Sequence, residues 1–172
     1  MDRRTLLGTL IALPALAWLP GLARSQGAPA DGRGFTVLSK AKAEWKELLD
    51  PARYAILFEE ATERAGSSPL DNEKRMGAFI CAACYLPLFD ASHKYDSRTG
   101  WPSFTQPLEG RLDTKRDFKL VWPRTEYHCA RCGGHQGHLF DDGPKPRGER
   151  WCNNGLALLF VAEGKASPEL RV

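Results

Sequence analysis

Five cysteines divide into two pairs and a remainder. Cys81-Ala-Ala-Cys84 and Cys129-Ala-Arg-Cys132 are CxxC units, and Cys152 stands alone in Arg150-Trp151-Cys152-Asn153-Asn154. Thiolates are soft ligands, and four of them in a tetrahedron suit zinc. Cys81, Cys84, Cys129 and Cys132 are therefore expected to hold one structural zinc ion, stapling distant parts of the chain. Three other fates compete: redox-active CxxC pairs, disulfides in an oxidising compartment, or iron as the ion. Neither CxxC sits in the βαβ context of a thioredoxin-like motif, which favours the metal. Cys152 would then be the one thiol free to react.

The surroundings of Cys152 suit chemistry better than an inert core cysteine. Arg150 lies two residues away, and a nearby cation stabilises a thiolate. Upstream, Gly133-Gly134-His135-Gln136-Gly137-His138 places two histidines among glycines, followed by Asp141-Asp142-Gly143-Pro144. On a regular strand His135 and His138 need not share a face, but the glycines allow the backbone to bend. A histidine near a lone thiol serves as an acid or hydrogen-bond donor. Gly100-Trp101-Pro102-Ser103-Phe104 offers either a core tryptophan in a turn or an aromatic wall for an apolar group such as a thioether methyl.

The elements that must position these residues change character along the chain. Ser39 to Leu49 has helical composition, with Trp45, Leu48 and Leu49 as candidate buried positions. Asp50-Pro51 starts a second helix, the aspartate as cap and the proline at the first helical position. Tyr54, Leu57, Phe58 and Ala61 follow at helical spacing, and Gly66 is the expected terminator. Beyond Ala78 the segments are short, β-branched or aromatic. Strands are expected at Ala78–Cys81, Lys119–Trp122, Glu126–Cys129, His138–Phe140 and Leu156–Val161. The body reads as a small antiparallel β-domain preceded by helices.

The chain has 172 residues, 42% of them hydrophobic, and a formal net charge of +3 with no long basic run. One domain is expected, and nothing suggests a nucleic-acid partner. Arg3-Arg4 precede an apolar run that reaches about Ala23, which reads as a twin-arginine export signal over residues 1–25. An uncleaved membrane anchor is the alternative, although Pro14, Pro20 and Gly21 interrupt the run. Removing the signal takes away three arginines and one aspartate and leaves the chain near neutral. Residues 26–35 read as a linker. Export of a folded protein would let metal occupy the thiolates before an oxidising compartment cross-links them.

Taken together, the blocks Ser67-Ser68-Pro69-Leu70, Phe79 to Cys84, Gly100 to Phe104, His135 to Pro144 and Arg150 to Asn154 resemble the B-type methionine sulfoxide reductases. They occur in family order over roughly residues 36–163, leaving 164–172 as a tail. The resemblance implies a mainly β (α+β) fold of two small antiparallel sheets with N-terminal helices. It implies reduction of methionine (R)-sulfoxide in oxidised proteins, with Cys152 attacking the sulfoxide sulfur and becoming a sulfenic acid. His135 and His138 would protonate the sulfoxide oxygen with help from Asn154. Trp101 would pack on the methyl group, and Arg150 and Asp142 would tune the charge. A monomer in the periplasm is expected. A non-catalytic zinc-stabilised module that binds oxidised methionine and a disulfide oxidoreductase are the competing classes.

The chain departs from that family at three places. Many members carry a resolving cysteine where this chain has Thr99, and no spare cysteine exists elsewhere. A one-cysteine cycle is therefore expected, with Cys152 regenerated by a thioredoxin-like protein or a small thiol. Asn153 stands where an aliphatic residue is usual, and Gly155 where serine is common.

Overall fold

In a computed structural model of the chain, residues 33–118 and 123–172 are described. The expected signal, most of the linker and the expected strand at Lys119–Trp122 lie outside them. Two helices, α1 (Lys42–Leu48) and α2 (Pro51–Glu59), come first. Among the described residues nine strands follow: β1 (Gly77–Cys81), β2 (Pro87–Asp90), β3 (Lys94–Tyr95), β4 (Ser103–Phe104), β5 (Leu112–Asp117), β6 (Arg124–Cys129), β7 (His135–Phe140), β8 (Arg150–Asn153) and β9 (Leu158–Ala162). They form a three-stranded sheet in the order β2-β1-β9 and a six-stranded sheet in the order β3-β4-β8-β7-β6-β5. Every pairing is antiparallel, so the fold is the expected α+β arrangement of two sheets behind two helices.

Both helices obey their local signals. The Asp50 carboxylate accepts from the Arg53 amide and Pro51 opens α2. The helix stops at Glu60, which takes the left-handed conformation at φ 56°, rather than at Gly66. The stop comes early because the chain must turn there to carry Glu63 to the end of β8. Of the three candidate buried positions on the first helix, Trp45 and Leu49 are buried but Leu48 is 49% exposed. Trp45 stacks on Phe58 of α2 at 5.2 Å between ring centroids. That contact fixes which face of α1 turns inward.

The larger sheet has two unlike faces, because side chains alternate along each strand. On β8, Trp151 and Asn153 face inward while Arg150 and Cys152 face outward. The inner face meets the smaller sheet through aromatic rings. Phe104 stacks on Phe89 at 4.0 Å and meets Phe79 edge-on at 4.9 Å, and Tyr127 packs on Trp151 at 5.0 Å. The outer face carries the polar set: Asp117, Glu126, His138, Arg150 and Cys152 share it by register.

Candidate active site

Two strands bring the lone thiol to a histidine. Cys152 on β8 lies directly opposite His138 on β7, and opposite Ser103 of β4 on its other side. Gly137 pairs with Asn153, and a Cβ at that glycine would overlap the Cys152 carbonyl, so only glycine allows β7 and β8 to approach this closely. His135 reaches the same face as His138 through a bulge. Tyr127 pairs with Gly137 and His128 pairs with His135, leaving Gln136 as an extra residue. One inserted residue flips the alternation, so both imidazoles face outward. Their ring centroids are 5.4 Å apart.

Each imidazole is backed by a carboxylate that the sequence reading missed. His135 Nδ1 lies 2.5 Å from Glu126 Oε1, and His138 Nε2 hydrogen-bonds Asp117 Oδ2 at 3.1 Å. Asp117 also takes a hydrogen bond from Arg124 at 2.8 Å. Such partners fix ring orientation and stabilise the protonated imidazole. Both carboxylates are acidic residues on neighbouring strands, but only the register reveals their role.

A cleft of about 110 Å³ opens over Cys152, lined among others by Thr62, Trp101, His138, Phe140 and Asn154. Four of the expected site residues therefore meet in one place. His135 is 1% exposed and sits behind the cleft, where its Nε2 lies 3.4 Å from Asn154 Nδ2. Asn154 is held in turn, donating to the Gln136 carbonyl at 3.1 Å and accepting the Glu63 amide at 3.1 Å. Trp101 Nε1 donates to the Glu63 carbonyl at 3.2 Å, so its ring is a cleft wall with a fixed tilt. Gly155 has a structural reason: its amide donates to Glu63 Oε1 at 2.6 Å, and a Cβ there would overlap Ser68.

Arg150 and Asp142 flank the cleft as a bidentate pair, with contacts of 2.7 and 2.9 Å. Burial pushes the Cys152 thiol above its ordinary range, while the charge and hydrogen bonding of Arg150 and the Thr99 hydroxyl pull it back. The expectation of a readily ionised thiol is corrected on this point. Arg150 acts in the expected direction, but desolvation outweighs it, and Asp142 opposes it. Thr99 nonetheless stands beside the thiol. Its hydroxyl joins a chain through Ser97 to Ser103, each link 2.8 Å.

The other four cysteines converge elsewhere, at the strand ends where β1 and β6 turn. Their sulfurs all lie within 4.8 Å of one another and all four are buried. Cys81 and Cys132 sulfurs are 3.7 Å apart, and Cys84 and Cys129 sulfurs 3.5 Å. Zn–S bonds of ~2.3 Å in a tetrahedron place sulfurs ~3.8 Å apart, whereas a disulfide needs ~2.05 Å. All five cysteines are free thiols in this geometry. Each CxxC turns through a left-handed residue, Tyr85 at φ 65° and Gly133 at φ 71°. Four buried sulfurs packed this tightly match the spacing of a tetrahedral thiolate cluster around one ion. The donor set fits a thiolate-bound metal ion.

A lone thiol set against two carboxylate-backed imidazoles, apart from four cysteines that could hold a metal ion, fits a thiol-dependent redox site. A family model described as the SelR domain matches residues 49–162. The chain is 46% identical over 125 residues to peptide methionine sulfoxide reductase B1, chloroplastic, of Arabidopsis thaliana, covering 72% of this chain and 62% of that protein. It is 47% identical over 120 residues to peptide methionine sulfoxide reductase MsrB of Bradyrhizobium diazoefficiens, covering 69% and 86%. The corresponding protein of Leptospira interrogans is 42% identical over 127 residues, covering 73% and 97%. The chain belongs to this SelR-domain family, that of the B-type methionine sulfoxide reductases.

Proposed function

We infer that the protein reduces methionine (R)-sulfoxide in oxidised proteins to methionine, with Cys152 as nucleophile. The carrying observation is the placement of Cys152 directly opposite His138, in a cleft walled by Trp101. The Cys152 thiolate attacks the sulfoxide sulfur while His138, with His135 behind it, supplies protons to the oxygen. Protonation matters because the sulfoxide oxygen is otherwise a poor leaving group. Sulfur–oxygen cleavage releases methionine, and the hydroxyl passes to Cys152 as a sulfenic acid. Two equivalents of an external thiol, from a thioredoxin-like protein or a small molecule, then return Cys152 to the thiol, yielding a disulfide and water. The external route follows from Thr99, which leaves Cys152 without an internal partner.

Arg150 offsets part of the burial that keeps Cys152 protonated, and Asn154 orients His135. The ion held by Cys81, Cys84, Cys129 and Cys132 is assigned as zinc, where it cross-links the fold. The N-terminal 25 residues are assigned as an export signal, placing a monomeric enzyme in the periplasm. The test is an assay on both sulfoxide epimers with thioredoxin and dithiothreitol as reductants. Turnover of the R-epimer, lost in Cys152→Ser, is expected. Turnover of the S-epimer alone, or full activity in Cys152→Ser, would refute the assignment.

A further inference from the structure

Between the two sites runs a line of buried polar groups that neither site requires. The Tyr127 hydroxyl donates to Asn153 Oδ1 at 2.9 Å. Asn153 Nδ2 donates to the Asn154 carbonyl at 2.8 Å and faces Gln136 Oε1 at 3.5 Å. Gln136 Nε2 donates to Cys81 Sγ at 3.5 Å. Tyr127, Gln136, Asn153 and Cys81 are all 0% exposed. The line runs from Tyr127 through Asn153 and Gln136 to Cys81, with the Asn153 amide shared with the Asn154 carbonyl and the Gln136 amide shared with the Gly134 carbonyl at 3.5 Å.

Packing alone does not account for these residues. They sit on the inner face of a sheet whose other members are Phe104 and Trp151, where an aliphatic residue would fill the space. A buried amide is costly unless bonded. What the amides do is connect. Four thiolates around a divalent ion leave a net negative cluster, and an N–H aimed at one sulfur stabilises it. At the other end, Asn153 is the residue between Cys152 and Asn154, and its backbone N–H donates to the Pro102 carbonyl beside Trp101 at 2.9 Å. Its side chain, bonded to the Tyr127 hydroxyl, the Asn154 carbonyl and Gln136 Oε1, anchors the same short stretch of β8, which carries the reacting thiol, from within the core.

We propose that Gln136 and Asn153 are a positioning pair that couples the four-cysteine metal cluster to the placement of Cys152. With metal bound, Cys81 is an anionic acceptor that holds the Gln136 amide, which holds Asn153, which sets β8. The proposal rests on Cys152 as the reacting thiol, but its test does not depend on sulfoxide turnover.

The test uses the full chain loaded with cobalt(II) or zinc and two variants. One is Gln136→Leu. The other, Tyr127→Phe/Gln136→Leu/Asn153→Ile, replaces the whole line by apolar groups of similar size and keeps the question open to test if the single variant fails to fold. The readouts are the sulfur-to-cobalt charge-transfer band, the rate of zinc transfer to a chromophoric chelator, and iodoacetamide alkylation of Cys152 followed by mass spectrometry. In both variants the band is expected to move to lower energy, because a thiolate without its N–H partner is a stronger donor. Zinc release is expected to rise about tenfold. Alkylation of Cys152 in the metal-loaded protein is expected to change by about threefold or more. A folded triple variant with wild-type band, release and alkylation overturns the proposal. So does a shifted band with unchanged alkylation, which would confine the effect to the metal. If the wild type reduces no sulfoxide, the functional assignment fails while these three readouts still decide the coupling.

Discussion

Arg150 is the lever on the reactivity of Cys152, and its removal has a calculable sign. The guanidinium lies against the thiol and lowers its tendency to hold a proton, against a larger contribution from burial. Opposite charges about 4 Å apart attract by roughly 4 kcal/mol at an effective dielectric of 20. Asp142 holds the same guanidinium by two hydrogen bonds and opposes it at the thiol by a smaller amount, and solvent in the open cleft screens the pair further. About 1.4 kcal/mol remains as a working figure, which is tenfold in thiolate population. Arg150→Met should therefore slow iodoacetamide alkylation of Cys152 about tenfold at neutral pH, with the rate–pH curve displaced to the alkaline side. Asp142→Asn should act in the opposite direction, because it removes a negative charge and frees the guanidinium. The sign follows from the nucleophile: the thiolate alkylates, its fraction rises with pH, and losing the cation delays that rise. The limiting rate at high pH should match wild type. A neutral-pH rate unchanged or faster in Arg150→Met, or slower in Asp142→Asn, would refute this account of the thiol's electrostatics.

Glu126→Gln should lower kcat by about 100-fold with little change in KM, within the range for loss of a proton-transfer contribution; steady-state kinetics on a sulfoxide peptide checks it. Cys129→Ser should abolish stoichiometric metal and cost several kcal/mol, roughly the worth of a structural zinc site diminished by one ligand; metal analysis and thermal unfolding read both. Thr99→Cys should convert the cycle to one with an internal disulfide to Cys152, seen as a two-dalton loss by mass spectrometry after one turnover without reductant. Phe104→Ala should destabilise the fold by about 3–5 kcal/mol, since that ring packs on two others between the sheets; denaturant unfolding measures it.

The residues that chemistry constrains directly were legible in the chain. Two CxxC units announce a thiolate cluster because one ion needs sulfurs at turn spacing, and Asp50-Pro51 announces α2 because cap and first-turn requirements are local. What lay hidden depends on register. The strand Leu112–Asp117 is largely exposed and carries Asp113, Thr114, Lys115 and Arg116 in succession, so no alternation of apolar residues betrays it. The strands Lys94–Tyr95 and Ser103–Phe104 are too short to show a period. The expected strand at Leu156–Val161 begins later, at Leu158, because Gly155–Ala157 form a turn of 3₁₀ helix bound to Glu63. Asp117 and Glu126 acquire meaning only once β5 and β6 are laid beside β7. The protonation tendency of Cys152 is hidden for a related reason: Arg150 is visible two residues away, but burial is a property of the whole fold.

The bulge at Gln136 stores the geometry of the site as a count. His135 and His138 face the same way although one residue too many lies between them for a regular ladder, because the bulge absorbs it and turns its side chain inward to Cys81. An alanine scan reads what each position is and would report Gln136 as one core residue among many. A scan of single-residue deletions reads how many positions there are. Shortening β7 by one at residue 136 would leave a regular ladder in which His135 and His138 still face outward, and would take away only the inward amide that reaches Cys81.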